Sequence, residues 1–179
     1  ARFADLADLF GPRGAVSGCW CMWWRLSHHD FRATTPEQHR AALEALTQSG
    51  APVGLLAYAG GKPVGWVSVA PREQYRRFYE TKTRTWQIID DRPVWCIVCF
   101  FIAPGWRRKG AGSALLAAAV AYAREHGALT LEASPVEPAR KNASPLSIYY
   151  GTAAMFQKAG FSEVARFHPT HPIYRLELD

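Results

Sequence analysis

The chain has 179 residues, of which 49% are hydrophobic and 20% are charged, as in an ordinary globular protein. This length and composition predict one domain spanning residues 1–179. No apolar run approaches the ~20 residues that span a bilayer, so we expect a cytoplasmic protein without a membrane partner. The formal net charge of +6 favours a polyanionic ligand, such as a nucleotide or a nucleic acid.

The first part of the chain alternates between patterns of helix and strand. Residues 5–10 indicate a short helix, and the aromatic run AVSGCWCMWWRL at 15–26 indicates a strand. Residues 35–50 have the capping residues and apolar stripe of a helix. Residues 54–71 predict a β-hairpin with a Gly-Gly turn.

The second part begins with an irregular segment, 71–94, which mixes aromatic and charged residues and has room for a short helix. The apolar run WCIVCFFI at 95–102 predicts a strand that is buried on both faces. An alanine-rich helix at 111–127 and a strand at 128–136 follow. This strand–helix–strand order predicts that the two strands are parallel.

The chain ends with one more helix and a pair of strands. Residues 144–160 indicate the helix, and residues 161–168 and 172–179 indicate an antiparallel pair. The whole order predicts an α/β (α+β) fold with a mixed sheet.

The four cysteines form two sequence pairs, Cys19/Cys21 and Cys96/Cys99. Strand alternation would place Cys96 and Cys99 on opposite faces, which prevents joint binding of one metal ion. We therefore expect reduced, buried thiols and no metal site.

The densest positive charge of the chain lies between the predicted strand 95–102 and the helix at 111–127. Arg107, Arg108 and Lys109 are followed by Gly110 and Gly112. The N-terminus of a helix exposes unpaired N–H groups that bind anions. Glycine lets the backbone come close to a phosphate, so this loop predicts a phosphate or diphosphate site.

The order Arg107-x-x-Gly110-x-Gly112 resembles the loop that holds the diphosphate of acetyl-CoA in the GNAT superfamily of N-acetyltransferases. The predicted strand before this loop and the predicted helix after it also resemble those of the family. A second similarity, late in the chain, is Met155-Phe156-Gln157-Lys158-Ala159-Gly160-Phe161. The P-loop and dinucleotide-binding patterns do not fit the spacing of the glycines.

This resemblance implies a mostly antiparallel mixed sheet, flanked by helices, with a splayed parallel strand pair at its centre. It implies acetyl transfer from acetyl-CoA, as cosubstrate, to a primary amine by direct attack in a ternary complex. The pantetheine arm would pair with the backbone of Phe100, Phe101 and Ile102. The residues implied in the diphosphate site are Arg107, Arg108, Lys109, Gly110, Ala111, Gly112 and Ser113.

The sequence departs from the family at one catalytic position. The tyrosine that protonates the departing thiolate aligns with Phe156, which has no proton to give. Tyr149, Tyr150 or Ser147, expected on the same helix, are the candidates to replace it, with solvent as a further alternative. The loss of catalysis is the other interpretation.

Attack by the amine requires a base, since an ammonium ion is not a nucleophile. Glu132 is the first candidate, because a carboxylate within a strand is expected to be paired or used. A salt bridge to an arginine is the alternative. The other candidates are loop residues: Glu73, Glu80, Asp90 and Asp91.

The acceptor is expected to be a small-molecule amine. Aromatic residues of 20–24 and 75–86 would stack on it, and Arg72, Arg76 or Arg77 would bind a carboxylate on it. A protein lysine or N-terminal amine is an alternative acceptor, and a catalytically weak acetyl-CoA-binding module is an alternative function. No nucleic-acid partner is expected, and a homodimer is left open.

Overall fold

The computed structural model of the protein describes residues 2–80, 86–137 and 149–178. Within these ranges it contains one sheet of six strands in the order β1-β2-β3-β4-β6-β5. The strands are β1 (Leu55–Ala59), β2 (Lys62–Pro71), β3 (Trp95–Ile102), β4 (Thr130–Ala133), β5 (Ser162–His168) and β6 (His171–Glu177). β3 and β4 are parallel and the other neighbouring pairs are antiparallel, which confirms the predicted sheet.

The helices of the described residues lie on both faces of this sheet. They are α1 (Phe3–Phe10), α2 (His28–Ala33), α3 (Pro36–Gln48), α4 (Arg77–Glu80), α5 (Ala111–Glu125) and α6 (Ala153–Lys158). α5 and α6 bury apolar residues such as Leu116 and Phe156 against one face. α1 and α3 bury Leu6 and Leu43 against the other face. The predicted arrangement of a sheet flanked by helices is therefore confirmed.

Local sequence signals set the bounds of several elements. Thr35 caps α3 by accepting a hydrogen bond from the N–H of Gln38, whose side chain in turn accepts from the N–H of Thr35. The hairpin of β1 and β2 turns at Gly60 and Gly61, both with left-handed backbone angles. These elements were predicted correctly because their signals lie within a few residues.

The strand predicted at 15–26 is wrong. This segment consists of successive turns, with left-handed backbone angles at Ala15, Ser17, Trp20 and Cys21. Trp20 is nevertheless buried against α1, where its ring stacks on Phe3. The apolar residues thus bury their side chains without forming a strand, so their composition gave a misleading signal.

The prediction that Cys96 and Cys99 lie on opposite faces is also wrong. The pairing of β2 with β3 matches Ser68 to Cys99 but Val69 to Ile97, so β3 has one extra residue at a β-bulge. Cys96 and Cys99 therefore both pack against the same cluster of buried residues. All four cysteines are free thiols, as expected.

Two elements are shorter than predicted. β4 covers Thr130–Ala133 rather than 128–136. α6 begins at Ala153, and the part of the predicted helix at 144–148 lies outside the described residues. Gly151 has a φ of +78°, so the chain turns there instead of continuing a helix.

Candidate active site

The parallel strands β3 and β4 separate after a short paired stretch. Their residues pair only from Trp95 with Leu131 to Ile97 with Ala133. Further along β3, the N–H of Phe100 donates a hydrogen bond of 2.6 Å to the carbonyl oxygen of Tyr149 instead. The sheet therefore has a gap on the β4 side of Phe100.

The backbone of β3 alternates between this gap and β2. Because the N–H of Phe100 points into the gap, the N–H and C=O of Ile102 point the same way. Phe101 lies between them and is paired with Trp66 of β2. Of the three residues predicted to bind the pantetheine arm, Phe100 and Ile102 thus direct their main-chain groups towards the gap, and Phe101 directs its groups away from it.

The loop of residues 103–110, which we call the basic loop, leads from β3 into α5. Its backbone is left-handed at Arg108, with a φ of +61°, and at Gly110, with a φ of +86°. Gly110 is the N-cap of α5, and no side chain caps the helix. The N–H groups of Ala111, Gly112 and Ser113 belong to the first turn and have no partner within the helix. Unpaired donors of this kind can bind an anion without any particular side chain.

The three cations of the basic loop have different surroundings. Arg107 is half-buried, and its Nε donates to the carbonyl oxygen of Ile102 at 3.1 Å. The ammonium group of Lys109 lies 5.5 Å from the centre of the exposed Trp106 ring. Arg108 is exposed. Arg107 therefore holds the loop against the end of β3, while Arg108 and Lys109 give the site its accessible charge.

α6 lies beside the first turn of α5 and the gap. A Cβ atom at Gly112 would lie 3.4 Å from the sulfur of Met155. Phe156 is fully buried, with its ring edge-to-face against Phe100 at 6.2 Å and against Phe161 at 5.0 Å. Position 156 therefore lies next to the gap but has only an apolar side chain to place there.

The two tyrosines lie close to the gap, but in a turn and not on a helix. The predicted alignment of Tyr149 with Phe156 along one helix face is therefore wrong. Their rings pack against each other with centres 4.1 Å apart. Burial raises the pKa of Tyr149, so its hydroxyl stays protonated at neutral pH. Ser147, the third candidate, lies outside the described residues.

Glu132 lies in β4 and is completely buried. One of its carboxylate oxygens accepts a hydrogen bond of 2.9 Å from the indole N–H of Trp86. The other accepts from Nε of Arg175 at 2.8 Å, and Arg175 also binds both oxygens of Asp90. This geometry favours the salt-bridge alternative over a role as base, because both oxygens are engaged and neither is exposed.

The remaining acidic candidates differ in their surroundings. Asp90 is bound by Arg175, which holds the pKa of its carboxyl down at about 2. Glu80 is bound by Arg76, which directly precedes α4. Glu73 and Asp91 are exposed. None of these four carboxylates is placed by a contact to Phe100 or to the gap.

Sequence reasoning missed Arg175 and the part that Trp86 has in this network. Arg175 is 43 residues from Glu132 along the chain, and the register of β4 against β6 brings the two together. An arginine opposite a glutamate on neighbouring strands is a recognisable signal only once the strand order is known.

The residues around Glu132 form an aromatic cluster on the face of the sheet opposite α5. It is built from the segment 72–94, the end of the 15–26 segment and Tyr150. Its largest buried members are Trp24, Tyr75, Phe78, Trp86 and Tyr150. The aromatic residues predicted to stack on an acceptor are therefore mostly core, and Trp23 and Tyr149 are the half-buried ones at its border.

Two negative findings apply to the part of the chain that the structure describes. In residues 2–80, 86–137 and 149–178, no group of three histidine, cysteine or acidic side chains is placed to hold a metal ion. No helix in the same ranges is both long enough and apolar enough to cross a membrane.

Comparison with known proteins gives the family. The sequence model of the acetyltransferase (GNAT) family matches residues 20–161, which include β1–β4, the basic loop, α5 and α6. The chain belongs to the GNAT acetyltransferase family. It is therefore an acyltransferase, and the family that the sequence resembles is confirmed. A search of curated proteins finds no match.

Solved structures have the same fold as this GNAT protein. Ribosomal-protein-alanine N-acetyltransferase from Brucella melitensis is 21% identical, with 99% of this chain and 97% of that chain covered and a TM-score of 0.57. The protein yncA from Salmonella typhimurium, solved with its cofactor acetyl-CoA, is 19% identical over 100% and 91%, with a TM-score of 0.56. PaiA N-acetyltransferase from Thermoplasma acidophilum, in complex with coenzyme A, is 17% identical over 99% and 96%, with a TM-score of 0.55.

Proposed function

We propose that the protein transfers the acetyl group of acetyl-CoA to a primary amine of a small molecule, by direct attack in a ternary complex. The observation that supports this most is the uncapped N-terminus of α5, preceded by the basic loop and adjacent to the gap between β3 and β4. Solved proteins of the same fold contain acetyl-CoA or coenzyme A.

In this proposal the coenzyme is held mainly by backbone groups. The amides from Arg108 to Ser113 bind the diphosphate, and the exposed side chains of Arg108 and Lys109 add charge. The main-chain groups of Phe100 and Ile102 pair with the pantetheine arm. Phe101 contributes to this part of the site by packing only.

The N–H of Phe100 has a special place in the reaction. Attack of the amine on the thioester carbon moves negative charge onto the carbonyl oxygen, and an N–H that points at this oxygen stabilises it. In the structure this N–H is bound by the carbonyl oxygen of Tyr149. Coenzyme binding at Phe100 therefore requires the turn at Tyr149 to move away or the thioester oxygen to replace the Tyr149 carbonyl.

Tyr149 is the preferred proton donor for the departing thiolate. Its backbone contacts Phe100, and burial keeps its hydroxyl protonated. Tyr150 supports the Tyr149 ring by stacking and is the second candidate. Replacing Tyr149 with phenylalanine is expected to lower kcat by about 10²-fold or more with little change in the affinity for acetyl-CoA.

For the base we favour His171 over Glu132. The His171 ring lies edge-on to the Tyr150 ring at 5.7 Å. Burial, and then the neighbouring His168, lower the pKa of His171, so it is neutral at pH 7 and able to accept a proton. His171→Asn is expected to remove the acidic limb of the rate profile with pH, whereas Glu132→Gln is expected to leave that limb in place.

The experiment follows the release of coenzyme A thiol from acetyl-CoA with a panel of small amines, and the acetylated product is identified by mass. The proposal predicts transfer to at least one small amine and none without protein. A panel of peptides with free N-termini or lysines is the second arm. Transfer to peptides alone would overturn the small-molecule acceptor, and binding of acetyl-CoA without any transfer would support the binding-module alternative.

A further inference from the structure

Arg77 of α4 is a buried cation without an acidic partner. Only 2% of its surface is exposed. No carboxylate of the described residues forms an ion pair with its guanidinium group, which is bonded instead to main-chain carbonyls. The stretches 81–85 and 138–148, which the structure does not describe, contain no aspartate or glutamate. Neither of these two stretches therefore contains an acidic side chain that could pair with Arg77.

Arg76, the residue before Arg77, binds two carboxylates close to α4. Arg76 is exposed and forms ion pairs with Glu80 and, at 3.3 Å, with Asp30. Arg76, which directly precedes α4, and Arg77, its first residue, thus have opposite surroundings. Arg76 is in solvent and pairs with two carboxylates, whereas Arg77 is buried, forms no ion pair among the described residues and interacts with Glu80 only electrostatically.

The hydrogen bonds of Arg77 leave one edge of the guanidinium group open. Nε donates to the carbonyl oxygen of Trp23, and Nη2 donates to that of Ser27 at 3.3 Å. Nη1 has no partner in residues 2–80, 86–137 and 149–178. Nη1 is nevertheless not fully enclosed. The nitrogens of those ranges that are both enclosed and unpaired are Trp24 Nε1, Arg25 Nε, Arg72 Nε and Arg72 Nη1.

Half-buried aromatic residues pack against the guanidinium group. The guanidinium carbon lies 3.9 Å from the centre of the Trp23 ring and 5.9 Å from that of Phe31. Tyr149 is near enough to Arg77 for the two groups to interact electrostatically, and its backbone binds Phe100. We call the site formed by Trp23, Phe31, Arg77 and Tyr149 the acceptor cleft. Tyr149 connects this site to the gap, since its carbonyl oxygen accepts the hydrogen bond from the N–H of Phe100.

An unpaired buried guanidinium is costly, and a bound anion would offset this cost. Burial lowers the pKa of Arg77, which reflects the loss of hydration by the charged form. A carboxylate matches the planar, forked donors of arginine better than any other common anion of a small metabolite. The flanking aromatic rings suit an apolar or aromatic group next to that carboxylate.

We infer that the acetyl acceptor carries a carboxylate, which Arg77 binds, and that it is an amine of amino-acid size with an apolar side chain. Its carboxylate would lie at the open edge of Arg77, its apolar part against Trp23 and Phe31, and its amine towards the N–H of Phe100. This inference rests on the proposed function and names the acceptor class of the same site.

The test compares pairs of acceptors with and without a carboxylate, with rates expressed per concentration of unprotonated amine because the basicity of the amine also differs within a pair. Phenylalanine is compared with phenylalaninamide and with phenethylamine, and leucine with leucinamide, by kcat/KM for acetyl transfer. The wild-type protein is expected to prefer the carboxylate of each pair by about 10- to 100-fold, as a charge-assisted contact provides. An equal preference, or a preference for the uncharged member, would overturn the inference.

Variants then assign the preference to Arg77. Arg77→Met is expected to abolish the preference within each pair, Arg77→Lys to leave part of it, and Arg76→Met to leave all of it. The ratio of kcat/KM within a pair does not depend on the fraction of folded protein, because that fraction affects both acceptors equally. The intrinsic reactivity of each amine also cancels when variants are compared, because it is the same for every variant. If Arg77→Met does not fold, Arg77→Lys and the wild-type ratios decide the question.

The outcomes separate this inference from the proposed function. Transfer to amines without a carboxylate preference contradicts the role of Arg77 and leaves the transferase intact. Retention of the preference in Arg77→Lys and Arg77→Met contradicts it as well, and then Arg77 serves only to hold Trp23 and Ser27 in place. Absence of transfer to every amine, by contrast, contradicts the proposed function itself.

Discussion

The coenzyme side and the acceptor side of the gap are built in different ways. The basic loop and the start of α5 are one continuous stretch, and the groups proposed to bind the coenzyme there are main-chain amides. The acceptor cleft and the buried network behind it join residues from four separate parts of the chain, including Trp23, Arg77, Tyr149 and Arg175. The first side depends on backbone conformation, and the second depends on buried charged side chains and their partners.

This difference predicts that single side chains matter for stability mainly on the acceptor side. Glu132→Ala leaves the buried Arg175 with only Asp90, whose side chain is 38% exposed. We expect a loss of about 3–5 kcal/mol in the free energy of unfolding, measured by urea denaturation. The matched control is Glu177→Gln, which removes the exposed pair with Arg92 and is expected to cost about 1 kcal/mol or less.

A different result would support Glu132 as the general base. If Glu132→Ala unfolds at the same urea concentration as the wild-type protein but loses activity, the ion pair is not its main role. Glu132→Gln would then be expected to change the dependence of kcat on pH rather than the midpoint of unfolding.

On the coenzyme side, the largest effect should come from a change of backbone conformation. Gly110→Ala places a side chain at a φ of +86°, where it meets no neighbouring atom. The cost is therefore conformational and amounts to about 1–2 kcal/mol. It should be observed as weaker binding of acetyl-CoA in calorimetry or as a lower free energy of unfolding. Gly105→Ala is the control, since a Cβ there also meets nothing and the backbone is not left-handed. Equal behaviour of the two variants would contradict a role for the left-handed turn.

The Asp90–Arg175 pair predicts a smaller effect that depends on pH. Arg175 holds the pKa of Asp90 at about 2, below its ordinary value of about 3.9. The stability that this pair contributes is therefore complete above about pH 4 and is lost as the pH falls towards 2. Unfolding measured between pH 5 and 2, about the range of this titration, should show a weaker dependence in Asp90→Asn than in the wild-type protein. The same dependence in both would contradict the assignment.

The smallest effect is expected from an exposed cation of the basic loop. Arg108→Gln removes charge but no backbone donor, so the affinity for acetyl-CoA should fall only about two- to fivefold. Titrations at about 0.05 M and 0.5 M salt should show that this difference shrinks as salt screens the charge. A loss of binding in Arg108→Gln would mean that the side chain, not the backbone, provides most of the affinity.

The same contrast explains which features the sequence could predict. The caps of α3, the hairpin glycines, β3 and the basic loop were predicted because each depends on residues that are neighbours in the chain. The segment 15–26 was wrongly assigned because its tryptophans are buried by α1 and by α4, which composition alone does not reveal. The β-bulge of β3 was missed because it is a property of the pairing with β2.

The candidate site divides in the same way. The amides of the basic loop follow from a glycine pattern at the start of a helix, so they could be named in advance. The partner of Glu132 and the bonding of Arg77 to main-chain carbonyls could not, since the contacts that define them join residues 43 and 54 positions apart. The position of Tyr149 in a turn could not be predicted either, because Gly151 turns the chain and a helix pattern across that glycine hides this turn.

The central claim is that main-chain amides at the start of α5 bind the diphosphate of acetyl-CoA. Calorimetry of the wild-type protein with acetyl-CoA and with acetyl-pantetheine, which lacks the diphosphate and the nucleotide, tests this claim most directly. A 3′,5′-ADP titration measures what the nucleotide contributes together with one of the two phosphates of the diphosphate. We predict that acetyl-pantetheine binds at least about 100-fold more weakly than acetyl-CoA. We also predict that this difference in binding free energy is larger than the part explained by the affinity for 3′,5′-ADP. Equal affinities for acetyl-pantetheine and acetyl-CoA would contradict the claim.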